Sequence, residues 1–563
     1  MSKITIYQVL PRLFGNKVET PVFNGNIEQN GCGKLSDFTL TALNKIKNLG
    51  ITHVWYTGII EHATQTDCSK FGIRRDHRAM VKGKAGSPYA IKDYYDIDPD
   101  LASVPCKRMD EFENLIARTH KVGLKAIIDF VPNHVARQYY SDSKPDGVMD
   151  LGQQDNCTQA FSPLNNFYYI PNQPLSCRFD MTGTETGPYK EFPAKATGND
   201  CFCAYPSRDD WYETVKLNYG VDYCGGMVKH FNPIPNTWNK MLDILLFWTG
   251  KGVDGFRCDM AEMVPVEFWH WAIPQVKKKN KEIIFVGEVY NPSLYREYIY
   301  NGNFDYLYDK VGLYDKLKSV MQMKCGAQNI TNCWQQLDDI KEHMLYFLEN
   351  HDEQRIASSF FINDAQKGIP ALAVSALMGT NPLMLYFGQE FGEKGMDREG
   401  FSGLDGRTTI FDYWRVKTVQ QWRNKGKYSL NNLPQESQTL YKMYHRIVNL
   451  AVYSKIFSQG KFYDLMYVNL DNNEFDANRI YSFVRCDEEF VVLVVCNFSD
   501  NDVNVKVNIP KHMLDFLDIM PGARNALDLM TKKKQKLMIS DSVKATTCVK
   551  KWNVTLLQFE KKI

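Results

Sequence analysis

Short apolar runs alternate with longer stripes of helical period through about residue 452. Ile4-Thr5-Ile6-Tyr7-Gln8-Val9 alternates with period two and reads as a strand. Phe38, Ala42, Ile46 and Leu49 recur at helical spacing, and Gly50 then precedes the run His53-Val54-Trp55-Tyr56. The same unit returns at Gly123 before Lys125–Asp129 and at Gly252 before Gly255–Asp259. Glycine just past a helix accepts the left-handed conformation that ends it. Further strands are predicted at Ile283–Glu288, Phe304–Tyr308, Leu345–Asn350 and Leu383–Phe387. Eight strands separated mostly by helical patterns predict a parallel α/β sheet closed as a (β/α)8 TIM barrel. An open doubly wound sheet is disfavoured, because no Gly-x-Gly-x-x-Gly turn follows any of these strands.

One connection is too long for a barrel loop. The polar, Pro/Gly/Asn-rich stretch after His134 predicts a small inserted domain following the third strand. The pattern changes again after the helical segment Tyr441–Ala451. Alternating segments at Phe462–Val468, Ile480–Val484, Phe490–Cys496, Val503–Ile509 and Val549–Phe559 predict a C-terminal antiparallel β-sandwich. The expected division is barrel over 1–134 and 226–452, insertion over 135–225 and sandwich over 453–563.

Composition narrows the function. The net charge of +2 on 563 residues gives no electrostatic case for nucleic acid or an anionic membrane surface. No apolar run is long enough to span a bilayer, and no signal peptide is visible. A cytoplasmic location is therefore expected, with the periplasm as the alternative for a chain without its leader. The 14 scattered cysteines are then expected as reduced thiols.

Candidate chemistry sits where predicted strands end. Asp259, Glu288 and Asp352 each close a short context: Gly255-Phe256-Arg257-Cys258-Asp259, Phe285-Val286-Gly287-Glu288 and Glu349-Asn350-His351-Asp352. Acidic residues at strand C-termini build one pocket on a barrel, and closely placed carboxyl pairs serve glycoside hydrolysis. Arg257 and Asp259 are two apart and share the interior face, while Cys258 faces the helices. An adjacent arginine is expected to lower the Asp259 pKa, as suits a nucleophile. The apolar approach to Glu288 is expected to favour its protonated form, as suits a general acid.

These segments resemble the α-amylase family of glycoside hydrolases (family 13). The resemblance rests on Asp129…Asn133-His134, Gly255–Asp259, Gly287-Glu288, Asn350-His351-Asp352, Phe387-Gly388-Gln389-Glu390 and Ile6–Val9, in order along the chain. It implies that Asp259 is the nucleophile, Glu288 the general acid/base and Asp352 the carboxylate that stabilises the transition state. It further implies that Arg257 orients the nucleophile, His134 and His351 bind hydroxyls of the sugar being cleaved, and Tyr89 stacks beneath that sugar. Arg355 is expected to form an ion pair with Asp352, and Tyr290 to form a platform on the leaving-group side.

The chain departs from the family pattern at calcium. Val215-Lys216-Leu217-Asn218 replaces an aspartate-bearing segment, and Met263 stands at a histidine position. An ammonium and a thioether do not ligate calcium. The typical calcium site is expected to be absent, with Asn133 hydrogen-bonding the base of the insertion. The alternative calcium position is the loop of Asn24, Asn26 and Glu28, which reads first as a plain turn. No other cofactor is expected. The resemblance implies hydrolysis of α-1,4-glucosidic bonds in malto-oligosaccharides by a monomer or homodimer. The alternatives are transfer or isomerisation on a trehalose- or sucrose-like substrate, and a catalytically silent binding subunit.

Overall fold

A computed structural model describes residues 3–183, 187–395 and 398–562. Eight parallel strands close a barrel: β1 (Thr5–Val9), β2 (His53–Tyr56), β3 (Lys125–Phe130), β4 (Gly255–Cys258), β5 (Ile284–Gly287), β6 (Tyr306–Tyr308), β7 (Met344–Phe347) and β8 (Leu383–Tyr386). Each lies within one of the segments expected from the pattern or extends it by a residue. Neighbours in space are neighbours in sequence, and β8 closes the ring onto β1 with Thr5 opposite Leu383. Gly50, Gly123 and Gly252 all have positive φ, near 96°, 78° and 87°, which a side chain would strain. Each ends a helix and turns the chain into the next strand.

Period-two alternation separates the two faces of the barrel wall. Ile6, Trp55, Ile127, Val286, Tyr308, Leu345, Phe347 and Met384 fill its interior. Val54, Ile128, Phe256, Cys258, Phe285 and Leu385 point outward and join the large core beneath the helices. Arg257 therefore lies inside and Cys258 outside, as the alternation requires.

Two excursions build up the rim. After β2, Ile60–His62 pairs antiparallel with Ile91–Ile97, a hairpin the sequence reading did not isolate. After β3, the predicted insertion starts with His134–Ala136, which pairs with Thr214–Lys216. Met80, Leu175, Ala194, Ala204 and Tyr212 form a small core of their own there.

The C-terminal region is an antiparallel six-stranded sheet, ordered Lys461–Asp464, Ile480–Cys486, Phe490–Asn497, Asn553–Glu560, Gly522–Asp528, Lys534–Ile539, with a second sheet of Val503–Val507 and Ala545–Val549. Three expectations are corrected. The strand expected at Phe462–Val468 stops at Asp464 and turns into 3-10 helix over Met466–Val468. Val549–Phe559 is two strands, broken where Trp552 adopts a φ near 47° and reverses the chain. The strands Gly522–Asp528 and Lys534–Ile539 were not anticipated, because Asn525, Lys534 and Lys536 on the exposed faces and the buried Arg524 and Asp528 obscure the apolar alternation.

Candidate active site

Arg257 organises the pocket. It is 1% exposed and lies among the rings of Trp55, Tyr89 and Tyr308 at 5.2–5.6 Å from their centres. Its Nη1 donates to Asp259 Oδ1 at 2.6 Å and lies 3.7 Å from Asp129 Oδ1. Its Nη2 is 2.6 Å from Glu288 Oε2, an ion pair by distance whose angle is too poor for a hydrogen bond. Its Nε faces the Tyr308 hydroxyl at 3.3 Å.

The barrel ladder places the two carboxyls. The Asp259 backbone N–H donates to the Phe130 carbonyl, and that of Glu288 to the Cys258 carbonyl. Asp259 and Glu288 thus lie one residue beyond adjacent parallel strands, facing the same guanidinium. Met260 turns at φ 43° and its N–H donates to Glu288 Oε2 at 2.8 Å. Tyr290 donates its hydroxyl to Glu288 Oε1 at 2.6 Å. Tyr290 therefore contacts the acid directly.

The expected low pKa of Asp259 is corrected. Burial pushes this carboxyl well above the ordinary range; Arg257 opposes the shift, while Glu288 and Asp129 reinforce it. One guanidinium does not offset the desolvation of a carboxylate crowded by two others. Asp352 behaves differently. Burial works against its charge, but pairing with His351 and the fields of Arg257 and Arg407 hold it down at about 2. Its side chain is 40% exposed, so it opens toward the cleft.

His351 joins these groups. Gln8 Nε2 contacts its Nδ1 at 2.7 Å. With Gln8 oriented as donor, Nε2 carries the proton, facing Asp352 Oδ2 at 3.0 Å and the Tyr89 hydroxyl at 2.6 Å. The Tyr89 ring stacks on that of His351 at 5.2 Å. His134 is buried beside Trp211, and burial, helped by Lys216 and Lys82, pushes its ring down to about 3. It is a neutral hydrogen-bonding group at neutral pH.

Arg355 corrects another expectation. It is fully buried and its charge goes to Glu349, at 2.8 Å, not to Asp352. Its remaining donors reach Thr408 Oγ1 and the Phe387 carbonyl. It braces the pocket from behind.

Asn133 does hold the insertion: its Nδ2 donates to the Gly198 carbonyl at 2.7 Å. Lys216 Nζ donates to Asn133 Oδ1 at 2.8 Å and pairs with Asp200 at 2.5 Å. An ammonium therefore contacts the oxygen that a cation would need. In the loop of Asn24, Asn26 and Glu28, the Asn26 side chain caps a short helix by accepting from the Gln29 N–H.

The sequence reading quoted Asp129 in its motif but gave it no role. Alternation with Ile127 was the available signal for its inward position. Gln8, Tyr308 and Trp211 were missed, because their contacts cross between distant elements.

The family model for the α-amylase catalytic domain matches residues 8–427. The chain belongs to the α-amylase family. It is a glycosidase of the α-amylase type. It is 25% identical over 395 residues to Alpha-amylase 3 of Dictyoglomus thermophilum, covering 66% of this chain and 68% of that one. It is 23% identical to Neopullulanase 2 of Thermoactinomyces vulgaris, covering 79% of this chain and 61% of that one. The noncanonic maltogenic α-amylase AmyB of Thermotoga neapolitana shares its fold, with a TM-score of 0.62 at 19% identity over 99% of this chain and 98% of that one. No helix among the described residues is long and apolar enough to cross a membrane.

Proposed function

We propose that the protein hydrolyses α-1,4-glucosidic bonds in malto-oligosaccharides with retention of configuration. The observation that carries this reading is the single guanidinium of Arg257 held 2.6 Å from both Asp259 and Glu288. One planar group contacting both keeps the two carboxyls close, as a covalent intermediate needs; retaining pairs lie about 5–5.5 Å apart. Burial raises the Asp259 carboxyl above its ordinary range, and the Arg257 guanidinium that Glu288 also contacts opposes that shift.

In the first step Glu288 delivers a proton to the glycosidic oxygen while the Asp259 carboxylate attacks the anomeric carbon. The C–O bond to the leaving sugar breaks and a glycosyl ester forms. Glu288, now a carboxylate, takes a proton from water, which attacks the same carbon and frees Asp259. His351, His134 and Asp352 face the sugar hydroxyls, and Tyr89 supplies its flat face. The Lys216 ammonium on Asn133 Oδ1 supports a reaction that needs no metal at that position.

The test is to follow maltoheptaose by proton NMR from the first turnover. The α-anomer of the product is expected first; the β-anomer would overturn retention. Glu288→Gln is expected to lose about 10²–10⁴-fold in turnover, and Asp259→Asn to lose it at least as completely. Turnover surviving in Asp259→Asn would remove the nucleophile assignment.

A further inference from the structure

The hairpin after β2 carries an acidic cluster that the proposed chemistry does not use. Glu61 comes from its first strand, Asp93 and Asp96 from its second, and Asp142 from the loop that opens the insertion. One oxygen from each lies within 4.8 Å of all the others. The cations at hand are few. Arg108 Nε donates to Asp96 Oδ2 at 2.8 Å, and its Nη2 lies 3.8 Å from Asp142. Lys92 Nζ is 3.7 Å from Glu61 and 3.1 Å from Asp76, so it also serves a fifth carboxylate.

The four acids are not equally satisfied. Asp93 accepts from Ser141 Oγ and from the N–H groups of Tyr95, Asp142 and Ser143. Asp96 accepts from Arg108, Ser143 Oγ and the Ile97 N–H. Glu61 is 1% exposed, and neither of its oxygens has a hydrogen-bond partner. Lys92 meets this carboxyl only at 3.7 Å, beyond hydrogen-bond reach, and a buried carboxyl without a donor is expensive to maintain.

We propose that Glu61, Asp93, Asp96 and Asp142 form a calcium site. All four ligands are hard oxygens, which disfavours zinc and copper. Four protein carboxylates around one ion suit calcium, whereas magnesium is usually held by one or two carboxylates and keeps several waters. The site is separate from Asn133, where Lys216 provides the cation. Its ligands join two excursions of the rim: Tyr89 lies two residues before the strand carrying Asp93, and Asp142 lies six residues after Ala136. The ion ties the stacking tyrosine to the base of the insertion.

The test uses the full chain stripped with chelator, then titrated with calcium chloride in a calorimeter and melted with and without 1 mM calcium. One ion per chain is expected, with a rise of a few degrees in the midpoint. Asp142→Asn, on an exposed loop residue, is expected to bind roughly tenfold or more weaker, and Glu61→Gln to lose uptake. Should Glu61→Gln fail to fold, Asp142→Asn decides alone. No uptake by the wild type, or uptake unchanged in Asp142→Asn, overturns the proposal. Uptake lost in Glu28→Gln instead would move the site to the Asn24, Asn26 and Glu28 loop and overturn it equally.

Discussion

His53 is a buried histidine at the start of β2, remote from the proposed chemistry. Burial, reinforced by Lys125, pushes its ring down to about 4. An unfolded histidine titrates near 6.5. The folded value is therefore the lower one, and the unfolded chain binds the proton first as pH falls. The stabilisation is complete above about pH 6.5 and is lost progressively toward pH 4. At pH 5 the loss from His53 alone is about 2 kcal/mol relative to pH 7 or above. Urea midpoints of wild type and His53→Gln at both pH values check this, since the variant should lose about that much less on acidification. Equal losses would show that His53 does not control the acid limb. The same reasoning explains what was unreadable at Asp259. The neighbour Arg257 was legible from alternation, but the dominant effect on its pKa is desolvation by walls drawn from β2, β3 and β6. Arg355 is similar. Asp352 is the nearer carboxylate to it in sequence, but the fold turns Glu349 inward and pairs the two.

At the scale of elements, the barrel was legible because each strand is a short apolar run and several follow a glycine with positive φ. The hairpin of Ile60–His62 and Ile91–Ile97 was not, because nearly thirty residues of loop separate its strands. The junction of β3 with the insertion shows how a substitution visible in sequence becomes a structural role. Lys216 sits opposite His134 across the pair His134–Ala136 and Thr214–Lys216. Its ammonium satisfies Asn133 Oδ1, while Asn133 in turn holds Gly198. Lys216→Met would leave that buried oxygen without a donor, at a cost of about 1–3 kcal/mol. It would also loosen His134 against Trp211, so KM for maltoheptaose is expected to rise more than kcat falls. Wild-type stability together with an unchanged KM would show that Lys216 is not the brace of this junction.

An apolar helix lies at the centre of the junction between the barrel and the C-terminal sheet. Every residue of Ile369–Leu377 is buried, although barrel helices ordinarily leave one face to water. Its outer face is covered by the C-terminal sheet, so barrel and sandwich share one core. The carbonyls at the end of this helix have no partners within it. Two buried basic side chains meet that end. Lys3 Nζ donates to the carbonyls of Ala376 and Gly379, and Arg485 Nη1 to that of Met378 at 2.6 Å. Arg485 Nη2 also reaches the carbonyls of Phe457 and Gly460, tying the first turn after the barrel to the same point. Positive charge at a helix C-terminus is favourable, and more so when buried. Arg485→Met would strand three acceptors, each worth about 1–3 kcal/mol, so a loss of at least about 3 kcal/mol is expected. Because the two parts share one core, the wild type should melt in a single calorimetric transition, with calorimetric and van't Hoff enthalpies in agreement. The variant should shift that transition as a whole. A split endotherm, with the barrel melting at its wild-type temperature in Arg485→Met, would show instead that the sandwich is an independent unit only leaning on the helix.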